Sequence, residues 1–236
     1  MTLNFLRVMF KHALQNNYTA FNPMLQIKNL PEPFRDRPIL SMDDFRRLLD
    51  EAAKLPDAEQ LVVWLKVRAY SGTRPSECVY LEWRDIDFTR NQIIVRPKNG
   101  NPLKDGEFRA IPIHPELKPV LIAWRQRWEE IQGAIGTPHD WVFFYPADPT
   151  QRALGFRRSF MRACKNAGIP NTRSYDFRHF FISEAVMAGC ELMAVAKWAG
   201  HGSVRMIEKV YGHLSPDYHV AQMAKIQFGS PEKKSA

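Results

Sequence analysis

Little in this sequence points to a crosslinked, metal-held or membrane-inserted protein. Cysteine is scarce: Cys78, Cys164 and Cys190 are the three in 236 residues, and they stand far apart. Without a C-x-x-C pair or a Cys/His spacing suited to zinc, a disulfide framework and a structural metal site are poor organising principles. A reducing compartment fits. No apolar run approaches the ~20 residues that cross a bilayer, and the N-terminus lacks the uninterrupted apolar stretch of a secretory signal. Internal repeats are absent, and the one biased segment is a short polar tail after Gly229. What is present is material for a core, with 45% apolar and 12% aromatic residues. Positive charge is in excess, 33 Lys and Arg against 25 Asp and Glu for a formal +8, which favours a polyanionic partner.

The hydrophobic pattern divides the chain. Leu3, Leu6, Phe10, Ala13 and Leu14 recur at helical spacing and predict an amphipathic helix over 3–16. Asn22-Pro23 closes that segment, because a residue before proline avoids the helical region. Residues 29–38 hold three prolines and four charges, a linker composition. Ser41 with Asp44 has the form of a capping box, with Phe45, Leu48, Leu49 and Ala52 as the buried face behind it. A helix over 58–71 stops at Gly72, and a short one follows at Pro75–Tyr80. Residues 92–96 and 108–113 are β-like, and the Asn/Gly/Pro/Asp-rich stretch between them reads as a long hairpin loop. Leu117, Val120, Leu121, Trp124, Trp128 and Ile131 mark another helix, and Trp141–Phe144 a short strand or buried extended run. From 152 onward the pattern is helical, with breaks near 168–174, 189–190, 200–203 and 212–216. The expected fold is mainly α with a small antiparallel β-sheet. Its divisions are a helical segment 1–28, a linker 29–40, a main domain 41–228 and a disordered tail 229–236.

Two clusters hold residues that could carry chemistry. In Ser71-Gly72-Thr73-Arg74-Pro75-Ser76-Glu77 one helix ends at glycine, the next begins at Pro75, and Arg74 sits in the turn. Exposed N–H groups at a helix start favour an anion, and a guanidinium fork can grip one; a surface arginine in a helix–turn–helix connection is the plainer alternative. The second cluster is Tyr175-Asp176-Phe177-Arg178-His179, then Ala199-Gly200-His201, then Lys209-Val210-Tyr211-Gly212-His213-Leu214. Together these resemble the tyrosine recombinases, the phage integrase family. That family's first box has the form TGxRxSE-x-x-x-L-x-W-x-D, and the chain reads SGTRPSECVYLEWRD from Ser71 to Asp85. Its second has the form HxLRH…LGH…Y, and the chain reads YDFRH…AGH…Y. Order and spacing agree from about Ser41 to Leu214, and boxes in series are far more specific than each alone.

The resemblance implies a tyrosine recombinase catalytic-domain fold of the DNA breaking-rejoining type, preceded by a helical core-binding domain. Residues 3–23 resemble that smaller domain's last helix, so an N-terminally truncated recombinase is expected. The implied chemistry cuts and rejoins a DNA phosphodiester through a covalent 3′-phosphotyrosine, with neither metal nor cofactor. Tyr211 would be the nucleophile. A phenol titrates near 10, so about one in a thousand is ionised at neutral pH, and the phenolate needs stabilisation. Arg74 and Arg178 would balance the charge that gathers on the phosphate, and His201 would donate to it or help move a proton. The leaving 5′-oxygen would take its proton from a hairpin lysine: Lys104 by its distance from Pro112, with Lys98 as the alternative. Tyr175 stands where the family has histidine, keeping a hydrogen-bond donor while losing a possible cation. Double-stranded DNA is the expected partner, with a homotetramer on DNA, packing of the helix at 216–226, and an accessory DNA-bending protein as further expectations. A prokaryotic, nucleoid-associated cytoplasmic setting is implied, with no membrane partner. Two alternatives share the residues: a catalytically impaired DNA-binding protein, and a type IB topoisomerase-like strand transferase.

Overall fold

The computed structural model describes residues 2–28, 39–56, 58–103, 108–133 and 140–211. Met1–Pro38 and Ile39–Ala236 are separate compact units. The first is built on α1 (Thr2–Gln15), within a residue of the predicted helix. Asn17, at φ 57°, ends it, letting the Tyr18 N–H reach the Ala13 carbonyl at 2.9 Å. Asparagine is among the residues that tolerate this left-handed geometry.

The second unit holds α2 (Met42–Ala52), α3 (Ala58–Ser71), α4 (Pro75–Val79), a three-stranded sheet, α5 (Leu117–Gln132), a small hairpin, and then α6 (Arg157–Asn166), α7 (Asp176–Met187), α8 (Leu192–Ala199) and α9 (Val204–Tyr211). The expected capping box is present: Ser41 Oγ accepts from the Asp44 N–H at 3.1 Å, and Asp44 Oδ2 accepts from the Ser41 N–H at 3.2 Å. Helix α3 buries Leu61, Val63, Trp64, Leu65, Val67 and Ala69, so it is apolar around most of its circumference and runs through the core. Helices α2, α5 and α7 pack around it. Phe45 of α2 meets Phe177 and Phe180 of α7 with centroids at 6.0 and 5.5 Å. A second apolar cluster, Ile182, Val186, Val195, Ala199, Ile207 and Tyr211, joins the end of α7 to α8 and α9.

The sheet is antiparallel in the order β1 (Ile86–Asp87), β2 (Gln92–Val95), β3 (Arg109–Pro112). Ile93 faces both Ile86 and Ile111, which buries the middle of the sheet. Strand β1 went unpredicted, since two residues show no alternation. The run at Trp141–Phe144 is mostly buried and leads into β4 (Phe144–Tyr145), which pairs with an unpredicted strand, β5 (Asp148–Arg152). That Asp-Pro-Thr-Gln-Arg strand is mostly exposed and carries no apolar period.

The turn between α3 and α4 depends on Gly72. Its φ is +63°, and a Cβ there would lie 2.4 Å from the ring of Phe181. Gly72→Ala is expected to cost more than about 1 kcal/mol, since both the backbone region and the space are wrong for a side chain. A urea midpoint equal to the parent's would show that α7 yields to accommodate it.

Candidate active site

Two glycine carbonyls hold two arginines. Arg178 Nη1 donates to the Gly72 carbonyl at 3.1 Å, so α7 is fastened to the turn that carries Arg74. Arg74 Nη2 donates to the Gly200 carbonyl at 3.1 Å, where α8 ends in a left-handed residue. Glu77, buried on α4, organises the rest. Its carboxylate accepts from the Arg74 backbone N–H at 2.7 Å and from Arg74 Nη1 at 2.8 Å. Arg109 of β3 approaches the same carboxylate with both terminal nitrogens, at 2.6 and 3.1 Å, and its Nε reaches the Trp198 carbonyl at 2.9 Å. A Cβ at Gly200 would lie 3.0 Å from the Arg109 guanidinium, so glycine permits the close approach. Burial works against the Glu77 carboxylate, but Arg109 and then Arg74 outweigh it, and its pKa lies below the ordinary value.

Arg178 is 1% exposed, and its Nε and Nη2 have no hydrogen-bond partner among the described residues. Burial, and after it the repulsion of Arg74, pull its pKa down to about 10, against the attraction of Tyr175 and Glu77. Deeper in the core, Arg68 is also buried, its guanidinium nitrogens without hydrogen-bond partners among the described residues, and it lies over Trp64 at 4.8 Å and Phe177 at 5.4 Å. Positive charge is therefore concentrated beyond what the neighbouring carboxylates balance, an arrangement suited to an anion.

Tyr211 ends α9 and is 4% exposed. Its hydroxyl is hydrogen-bonded to Nδ1 of His179. Burial pushes the phenol above its usual range, and Arg178 opposes that shift. The His179 ring meets Tyr175 edge-on at 5.4 Å and Tyr211 at 5.9 Å. Tyr175 opens α7 and is half-exposed. His201 follows Gly200, its N–H on the Ala196 carbonyl at 2.9 Å. With Arg74, Arg109, Phe108 and Val204 it lines a cleft of about 340 Å³.

Of the residues singled out in the sequence, Arg178 thus feels the charge of Arg74 and of Tyr175, Tyr211 that of Arg178 and Tyr175, and His201 shares the cleft with Arg74. Lys104 and the helix expected over 216–226 lie outside the described residues. Lys98 is committed elsewhere: its ammonium bonds the Tyr80 carbonyl at 2.7 Å, Glu82 at 3.1 Å, and Asp85. Among the described residues, no group of three His, Cys, Asp or Glu side chains is placed to hold a metal ion. No helix among them is long and apolar enough to cross a membrane. Sequence reasoning missed Glu77, Arg109 and His179. Glu77 had a signal, standing three residues into a helix that Arg74 begins. So did His179, one helical turn beyond Tyr175.

A sequence profile of the phage integrase family matches residues 38–217. The chain belongs to that family. It is 25% identical to the ICEBs1 integrase of Bacillus subtilis (strain 168) over 225 residues, covering 90% of this chain and 60% of the relative. With the integrase of Salmonella phage P22 the identity is 26% over 243 residues, 97% of this chain and 57% of that one. The chain therefore spans about 60% of the length of these curated relatives. Among solved structures, the Tn1549 transposon integrase in complex with transposon right-end DNA superposes with a TM-score of 0.72 at 19% identity, over 94% of this chain and 77% of that one. The catalytic domain of bacteriophage HP1 integrase gives 0.60 at 19% identity, covering 84% of this chain and all of that one. The fold is that of a tyrosine recombinase catalytic domain.

Proposed function

We propose that this chain carries the strand-cleaving centre of a site-specific DNA recombinase. The observation that bears most weight is Arg178: a buried guanidinium with two nitrogens unpartnered among the described residues, repelled by Arg74 and attracted electrostatically to the Tyr211 phenol. Leaving such groups buried and unsatisfied costs about 1–3 kcal/mol each, a cost that an anionic ligand would remove. In this reading Arg74 and Arg178 hold the scissile phosphate and His201 donates to a non-bridging oxygen. Tyr175 supplies a further donor. The Tyr211 oxygen attacks phosphorus, forming a 3′-phosphotyrosine while the bond to the 5′-oxygen breaks. A lysine of the β2–β3 connection protonates that oxygen, Lys104 first and Lys98 second. The protein side chains supply all the charge stabilisation, so no metal enters the scheme. Double-stranded DNA is the substrate. Assembly as a homotetramer and an accessory bending protein are parts of the same proposal.

Tyr211 and Arg178 are both buried, so in this reading their surroundings open to admit the phosphate. The covered phenol and Tyr175 also suit the second reading, a DNA-binding relative that no longer cleaves. Both readings are tested with nicked duplexes tiled across the DNA flanking the gene, resolved on a denaturing gel. A covalent adduct that vanishes in Tyr211→Phe is the expected result. Tight, site-selective binding with no adduct would favour the second reading, and relaxation of arbitrary supercoiled plasmid a topoisomerase-like activity.

A further inference from the structure

We infer that His179 is the catalytic group that takes the proton from Tyr211 as the phenol attacks, a proposal that rests on Tyr211 being the nucleophile. The contact is direct: His179 Nδ1 is hydrogen-bonded to the Tyr211 hydroxyl, the oxygen that would react. With the ring proton on Nε2, a neutral imidazole presents Nδ1 as an acceptor, and the phenol O–H donates to it. The imidazole also packs in a T-shaped contact with the ring of Tyr175, four residues earlier at the start of α7. Helical geometry explains the pairing, since residues at i and i+4 share a face.

The substitution at position 175 gives this contact its importance. A tyrosine there donates a hydrogen bond but takes up no proton near neutrality. The imidazole one turn further along the helix points at the nucleophile instead. Arg178 immediately precedes it, so the residue that would hold the phosphate and the residue that would hold the attacking oxygen are consecutive on one rigid element. His201, which lines the cleft with Arg74, is left to serve the phosphate oxygens.

The step balances. The Tyr211 O–H bond breaks and its proton passes to His179 Nδ1, giving an imidazolium. The freed electron pair forms the O–P bond, the P–O5′ bond breaks, and the hairpin lysine protonates the departing oxygen. Rejoining returns both protons.

The test measures single-turnover adduct formation on the nicked flanking duplexes, with DNA affinity and thermal midpoint followed in parallel. His179→Ala is expected to bind DNA as the parent does and to form adduct about 10²–10⁴-fold more slowly, the usual contribution of a general base. Imidazole in the buffer should restore at least about tenfold of that loss, while thiazole, a ring of the same size and much weaker basicity, should not. If the alanine variant does not fold, His179→Asn carries the same rate expectation, since it offers a hydrogen-bond acceptor near the position of Nδ1 but no proton acceptor. A variant rate within about threefold of the parent's, or equal rescue by thiazole, overturns proton transfer to His179. An adduct that persists in Tyr211→Phe, or a parent that forms none on any duplex, overturns the nucleophile itself and this proposal with it. The two failures are distinct, because only the first leaves a Tyr211-dependent adduct intact.

Discussion

Arg178→Met is expected to form no measurable DNA adduct and yet to unfold no more easily than the parent protein. The activity loss follows from charge. As the phosphate becomes five-coordinate its oxygens gain negative charge, and a guanidinium placed for that charge is worth about 10³–10⁵ in rate in comparable phosphoryl transfers. That corresponds to about 4–7 kcal/mol of transition-state stabilisation. The unchanged stability follows from the same side chain's poor accommodation in the fold. Arg178 makes one hydrogen bond, to the Gly72 carbonyl, and leaves Nε and Nη2 buried without partners among the described residues. Losing that bond costs about 1 kcal/mol, while removing two unsatisfied buried donors returns about 1–3 kcal/mol each. A pKa drawn down to about 10 reports the same imbalance, since burial and Arg74 both disfavour the charge. A residue kept for structure would behave in the opposite way. Should Arg178→Met melt well below the parent and keep its adduct rate, the phosphate-binding role is lost.

Local signals were legible where a residue's neighbours in sequence decide its conformation. The Ser41–Asp44 cap, the stop of α3 at Gly72 and the start of α4 at Pro75 all follow from rules spanning four residues, and each is observed. The boxes around Arg74 and Arg178 could be read because their order and spacing resemble those of the phage integrase family. What could not be read depends on distant pairing. Glu77 and Arg109 are 32 residues apart, and nothing in either segment says that β3 delivers an arginine beneath α4. Lys98 stood as the alternative to Lys104 on sequence, and its cage of Glu82, Asp85 and Tyr80 comes from pairing that no local spacing reports. The burial of Tyr211 depends on α8 and α9 closing over α7, which no periodicity in one helix reports.

Glu77→Gln is the substitution with the largest expected effect on stability. The carboxylate pairs with two guanidiniums at once in a site where its own side chain is 2% exposed. Removing one member of a buried ionic cluster costs about 3–5 kcal/mol, because the partners remain buried and unbalanced. The glutamine keeps the shape and loses the charge, so the loss measures electrostatics and not a cavity. A cycle with Arg109→Met should show coupling: the double variant should lose clearly less than the sum of the two singles, since it no longer strands Arg109. The acid limb of stability carries the same information. Glu77 is depressed below its ordinary value of 4.5, so its contribution is complete above that value and is lost as the pH falls through the lower, folded-state pKa. Between those limits the parent should weaken with acid, and Glu77→Gln should weaken less steeply. Urea midpoints followed from neutral pH to below 4.5 check this directly. Parallel acid limbs for the two proteins would mean that the charge on Glu77 does not hold Arg74 and Arg109 together.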